Sequence, residues 1–195
     1  MGFGERWCKW LRTCWSTAHF SVLINGAPTG FFSSSRGLRQ GDPLSPMLFV
    51  LVAEVLTQMV LMCQREGVFE GFEVARGGER VPVLQYADDT LVFLQEGVET
   101  SDCLLRLLGW FEVFSGLHVN CSKSKVFFVN EVGDREGILQ RWGCVEGEFP
   151  DVYLGIPFGA NYKNIGVWQN LIDRFRERLA HWKRRYLSKG GEWFY

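Results

Sequence analysis

The chain has 195 residues, 47% of them hydrophobic and 22% charged, with a formal net charge of −1. Such length and apolar content mark ordinary globular material, one domain or one domain with an appendage, able to bury a real core. The near-neutral balance argues against wholesale adhesion to nucleic acid, but it hides an uneven distribution: residues 163–189 carry eight Lys or Arg against two acids.

Six cysteines (8, 14, 63, 103, 121 and 144) include no C-x-x-C pair and no His at zinc-finger spacing. They read as free thiols of a reducing compartment, and no secretory leader pattern precedes them. The expected location is therefore intracellular, nucleus or cytoplasm. The run 46–63 is apolar, but Glu54 and Gln58 interrupt a stretch already short for a bilayer span, so a buried core helix is expected and no membrane partner.

In chain order, residues 5–18 read as a helix, with Trp7, Leu11, Cys14 and Trp15 at helical spacing. Residues 19–25 read as a strand, "NGAPTG" as a turn and "FFSSS" as the returning strand. "RGLRQGDPLSP" breaks all periodicity. Ser45 before Pro46 then reads as an N-cap with Pro in the first helical position, opening a long helix to about Glu66, where Gly67 stops it.

Residues 83–86 and 90–94 are two apolar strands around Asp88 and Asp89. Asp is a common turn residue, and that is one reading of the pair. A tight hairpin turn prefers Asn-Gly or Asp-Gly, however, and no glycine is present. The other reading is that two mutually repelling carboxylates are there for a cation, and magnesium takes one or two protein carboxylates with phosphates completing its shell.

Beyond the acidic pair, residues 101–115 read as a helix ended by Gly116, "KVFFV" as a strand and "YLGIPFG" as a short edge strand. Residues 168–186 form the clearest amphipathic pattern, with Trp168, Leu171, Ile172, Phe175, Leu179, Trp182 and Tyr186 in one stripe and most basic residues facing away. Strands and helices alternate without a regular βαβ rhythm, so the expected fold is α+β, a mixed sheet with helices packed on one side.

Four motifs in this order, "RGLRQGDPLSP", "QYADDTLVF", "GLHVNCSKSK" and "YLGIPFG", resemble the reverse transcriptase domain of non-LTR retrotransposons, the LINE-like elements of plant genomes. The resemblance implies a partial right-hand polymerase: an antiparallel palm sheet with packed helices and part of the fingers over residues 1–160, and the start of a helical thumb over 161–195. It implies an RNA template, a DNA primer, deoxynucleotide triphosphates and Mg2+. Asp88 resembles a direct magnesium ligand and Asp89 a supporting one, with Tyr86 packed beneath them near the primer end. Arg39, Gln40 and Gly41 resemble the segment that holds the templating base and nucleotide, and Lys123 the lysine that approaches the nucleotide phosphates. Tyr153, Leu154 and Gly155 resemble the primer-gripping turn. Arg174, Arg178, Lys183, Arg184 and Arg185 would face the duplex backbone, a sequence-blind and salt-sensitive contact; a solvated basic face is the other reading of that helix.

One part of the family pattern has no match. A further metal-binding Asp, in a pattern like Phe-x-x-x-Asp-x-x-x-Ala-Phe/Tyr-Asp, should precede the acidic hairpin, but the only earlier Asp is Asp42, inside the "GDPLSP" loop. "MGFGERW" resembles the helix after that strand, and "EWFY" departs from the thumb pattern, so both ends read as cut. Two readings stay open: an RNA-directed DNA polymerase fragment, inactive without the first palm Asp, or a non-catalytic nucleic-acid-binding remnant or pseudogene product. Intron maturases and RNA-templated RNA polymerases share the acidic hairpin but fit the other motifs less well.

Overall fold

The computed structural model describes residues 2–34, 37–161 and 163–186, with side chains to residue 180. It groups into two compact units, one up to Phe93 and one from Leu94 onward. Helices and small sheets alternate in both. Among the described residues the strands pair only in twos, in four antiparallel ribbons and one parallel pair, rather than in the single mixed sheet that the alternation suggested. Each antiparallel ribbon joins strands that are consecutive in sequence, so their backbone groups are satisfied locally.

The first unit opens with α1 (Glu5–Ser16), then β1 (His19–Ile24) and β2 (Ala27–Ser33). The turn between these strands is shorter than expected. Asn25 (φ +50°) and Gly26 (φ +82°) are both left-handed, the pairing a two-residue primed turn demands, so the ladder resumes at once with Ile24 opposite Ala27. Helix α2 (Leu44–Arg65) begins two residues before the anticipated start. Asp42 Oδ1 accepts the Leu44 N–H at 2.8 Å, whereas the Ser45 hydroxyl, expected as the cap, donates to the Arg39 carbonyl at 2.6 Å. The Asp carboxylate is the acceptor that reaches the first free amide.

By length and composition α2 is apolar enough to cross a membrane. One side of it is occupied: Leu56 is buried and Val60 fully so, together with Phe69 and Val83. Met47, Val50 and Met62 are exposed. Two short strands that sequence periodicity does not reveal, β3 (Phe72–Glu73) and β4 (Arg80–Val81), follow the helix. Gln64 Nε2 ties the last turn of α2 to β4 and to the chain just before β3, donating to the Arg80 and Glu70 carbonyls at 3.1 and 3.2 Å. β5 (Val83–Tyr86) and β6 (Asp89–Val92) close the unit.

In the second unit α3 (Val98–Ser115) starts three residues earlier than expected and ends as expected at Gly116, left-handed at φ +71°. It buries Leu104, Leu107 and Phe111. β7 (Lys125–Phe127) and β8 (Val145–Gly147) form the parallel pair, joined through α4 (Arg135–Trp142), a helix absent from the periodicity reading. Its signals were its ends, since Asp134 Oδ1 accepts the Gly137 N–H and Gly143 is left-handed at φ +62°. Trp142 Nε1 donates to the buried Ser101 hydroxyl at 2.7 Å, fixing α4 on α3. "YLGIPFG" is a hairpin rather than one edge strand: β9 (Asp151–Tyr153) turns through Leu154 and Gly155, φ +51° and +80°, into β10 (Ile156–Phe158). Phe127, Phe149 and Phe158 pack ring to ring at 5.0–5.8 Å around it. Finally α5 (Ile165–Tyr186) begins where Asn164 Oδ1 accepts the Gly166 N–H at 3.1 Å.

Two carboxylates of the second unit are held below their usual range. For Asp151 the main cause is Lys125 Nζ, donating at 2.6 Å, followed by the Val152 N–H; for Glu112 it is the Val119 N–H at 2.8 Å, with His118 adding to it. A depressed folded pKa means that the unfolded chain binds protons first as pH falls. The stability from these groups is thus complete well above their ordinary values of 3.8 and 4.5, and is lost as pH drops through the depressed ones. Urea midpoints measured by near-UV circular dichroism should hold level down to that window and then decline. The double change Asp151→Asn and Glu112→Gln should flatten the decline; an unchanged slope would show that these contacts do not form.

Candidate functional site

The β5–β6 hairpin carries the acidic pair. Val83 faces Val92, Leu84 faces Leu91, Gln85 faces Thr90 and Tyr86 faces Asp89. Ala87 and Asp88 form the two-residue turn, and Ala87 stands at φ +53° where a glycine would be at ease. A left-handed residue with a Cβ costs about 1–2 kcal/mol, so the turn is held by its ladder rather than by its own preference. Asp88 and Asp89 are both exposed, and Tyr86 is 65% exposed rather than packed beneath them. Among the described residues neither carboxylate has an ion-pair partner.

The hairpin has a direction. Gln64, near the end of α2, bonds the carbonyl of Arg80, while Thr57, two turns earlier, donates its hydroxyl to Gln85 Oε1 at 2.5 Å. The chain from 80 to 85 therefore runs back along α2 toward that helix's N-terminus. Three further residues carry Asp88 about 10 Å beyond the level of Thr57, and Leu44 lies about 20 Å from Thr57 along the axis. The acidic turn is thus aimed at the end of α2 from which the 37–42 loop springs. In that loop Gly37 and Gly41 are left-handed, φ +74° and +85°, and Arg39, Gln40 and Gly41 are exposed. A small recess beside it is lined by Cys14, Trp15, Arg39, Asp42 and Ser45.

Gln85 was not singled out from the sequence. Its signal is an amide inside an otherwise apolar strand, and its role is to fasten the acidic hairpin to α2 while also reaching Thr90 Oγ1 at 3.5 Å.

The second unit holds the remaining candidates. Lys123 is exposed in the turn of residues 121–123, where its N–H donates to the Asn120 carbonyl at 3.0 Å. Tyr153 packs against Phe158 at 6.4 Å, and Leu154 and Gly155 form the β9–β10 turn. Arg174 brings a guanidinium nitrogen beside that turn, 3.7 Å from where a Cβ on Gly155 would stand. The structure therefore joins two motifs that the sequence presented separately. Arg178 is exposed, Arg176 pairs with Asp173 at 3.4 Å, and the side chains of Lys183, Arg184 and Arg185 lie outside the described residues.

Two unpaired, exposed carboxylates supply the one or two protein oxygen ligands that magnesium commonly takes, so the pair fits that ion. No group of three or more His, Cys, Asp or Glu is placed to hold a metal among the described residues.

Residues 2–186 match the family described as reverse transcriptase (RNA-dependent DNA polymerase), and the chain belongs to that family. The family generally uses a divalent metal ion. The chain is 47% identical over 78 residues to an uncharacterized mitochondrial protein of Arabidopsis thaliana, a match covering 39% of this chain and 64% of that protein. It is 31% identical to the transposon TX1 uncharacterized 149 kDa protein of Xenopus laevis, over 93% of this chain and 14% of the relative. With the retrovirus-related Pol polyprotein from type-1 retrotransposable element R2 of Popillia japonica it shares 33% identity, over 51% of this chain and 13% of that polyprotein. The motif resemblance to a retrotransposon reverse transcriptase domain is borne out, and the chain spans less than two thirds of the length of these relatives.

Replacing Thr57 by Val removes the hydroxyl that satisfies Gln85, and should cost about 1 kcal/mol, the typical net worth of such a bond. Thr57→Ser should restore it. The check is the urea midpoint of each variant; equal midpoints for Val and Thr would show that the hairpin is not fastened there.

Proposed function

We propose that the chain carries part of an RNA-directed DNA polymerase site, with Asp88 as the direct magnesium ligand and Asp89 in support. The observation that carries this reading is the unpaired acidic turn aimed along α2 toward the glycine-rich loop. Magnesium bound there would supply activation of the primer 3′-hydroxyl and neutralisation of the departing pyrophosphate. Asp88 sits in the turn and Asp89 opens β6, so the two carboxylates take unequal parts.

The chain's own groups do the positioning. Gly37 and Gly41 let backbone approach the nucleotide, Arg39 and Gln40 donate hydrogen bonds to it and the templating base, and Tyr86 lies near the primer end. Lys123 approaches the nucleotide phosphates. The Tyr153–Leu154–Gly155 turn grips the primer, and Arg174 and Arg178 neutralise backbone phosphates. On this reading residues 1–160 are fingers and palm, residues 161–195 begin the thumb, and the location is intracellular. RNA template, DNA primer and deoxynucleotide triphosphates are the partners.

Among the described residues no third carboxylate joins the pair, and this favours a second reading, nucleic-acid binding without catalysis. Primer extension on an RNA template separates the two. The chain alone should not extend. A fusion to an upstream segment bearing the family's Phe-x-x-x-Asp strand should extend, and Asp88→Asn in that fusion should lower the rate roughly a hundredfold or more, the scale of losing one charge-stabilising group. Extension unaffected by Asp88→Asn would sink the assignment of the site.

Binding by α5 is tested separately. Affinity of the chain for a labelled RNA–DNA hybrid should fall steeply with rising salt and show no sequence preference. Salt-independent binding, or none at low salt, would remove α5 from the nucleic-acid surface.

A further inference from the structure

The second unit brings two nucleophilic side chains to one end of its parallel strand pair. Cys121 opens the turn that follows α3, and Cys144 stands immediately before β8. Lys125 of β7 lies opposite Val145 of β8 in a parallel ladder, so the segments leading into both strands enter from the same end. The Ser124 N–H donates to the Cys121 carbonyl at 3.3 Å, so the turn folds Cys121 back beside the residue that precedes β7, at the same end where Cys144 precedes β8. Cys144 Sγ also meets the Trp142 carbonyl at 3.6 Å and Cys121 Sγ the Val119 carbonyl at 3.9 Å. Cys144 is buried and Cys121 half-buried, so solvent reaches Cys121 first. No third metal-ligating side chain joins them among the described residues, so the pair does not build a zinc site.

We propose that Cys121 and Cys144 are a dithiol–disulfide pair, oxidised by a small-molecule disulfide such as oxidised glutathione, whose bond pins the turn carrying Lys123 to the start of β8. The Cys121 thiol gives its proton to water, and its thiolate attacks one sulfur of glutathione disulfide. One glutathione thiolate leaves, and a mixed disulfide forms on Cys121. Cys144 then loses its proton, attacks Cys121 Sγ and expels the second glutathione. Two protein S–H bonds and one glutathione S–S bond become one protein S–S bond and two glutathione S–H bonds, with no other oxidant required. Burial, with Cys121 as neighbour, pushes the Cys144 thiol up, which suits it to the second step rather than the first.

The bond itself does not rest on the polymerase reading. The full chain is equilibrated in glutathione buffers of rising oxidised fraction, alkylated, digested without reduction and mapped by mass spectrometry. Two of the six thiols should be lost together, in a linked peptide joining positions 121 and 144, and the same link should form when Cys8, Cys14, Cys63 and Cys103 are all Ser. Cys144→Ser should leave a glutathione adduct on Cys121. Tryptic cleavage after Lys123 should slow severalfold in the oxidised chain. A persistent adduct on Cys121 of the unsubstituted chain, or links scattered equally among all six cysteines, would overturn the pair. Cleavage at Lys123 that ignores oxidation would overturn the tether.

Discussion

The first unit depends on the docking of β5 against α2. Val60 is fully shielded from solvent, Leu56 and Val83 are buried beside it, and Thr57 meets the side chain of Gln85 in the same seam. Apolar burial supplies the attraction, and the hydroxyl–amide bond selects which residues lie opposite. Because a strand's side chains alternate, sliding β5 by one residue would turn Val83 outward and part Gln85 from Thr57. The place of the acidic turn is therefore decided three residues away, by groups that have no part in its chemistry.

Much of this was legible from residue types. Long helices with glycine stops, Gly67 and Gly116 among them, announced themselves, as did the apolar strands around Asp88. The elements that escaped were those whose signal is not periodic. β3 and β4 are two residues each, too short to alternate, and α4 spans eight residues whose apolar content is modest. Its Asp134 and Gly143 boundaries were the readable part. The turn in "YLGIPFG" was hidden because Leu154 takes a left-handed backbone that leucine seldom adopts.

The site shows the same division. Residue chemistry pointed to Asp88 and Asp89, two adjacent carboxylates inside an apolar stretch, whereas Arg39, Gln40 and Gly41 were implied by the motif resemblance. Tyr86 lies open at 65% exposure rather than tucked under the acids, since the strand's alternation turns it to a face that no other described element covers. Gln85 and Arg174 act through contacts made only after folding, one with a residue 28 positions away and the other beside a turn in a different element. Nothing local to either residue announces its neighbour.

The parallel pairing of β7 with β8 has a consequence for the order in which the second unit assembles. β9 and β10 zip from a two-residue turn, at little loop-closure cost. β7 and β8 must wait until the whole connection through α4 has closed, since a parallel ladder has no local turn from which to grow. The seating of Trp142 on Ser101 shortens that search by fixing α4 on α3 just ahead of β8. Contact order thus marks this small ladder as the least local strand pairing of the second unit.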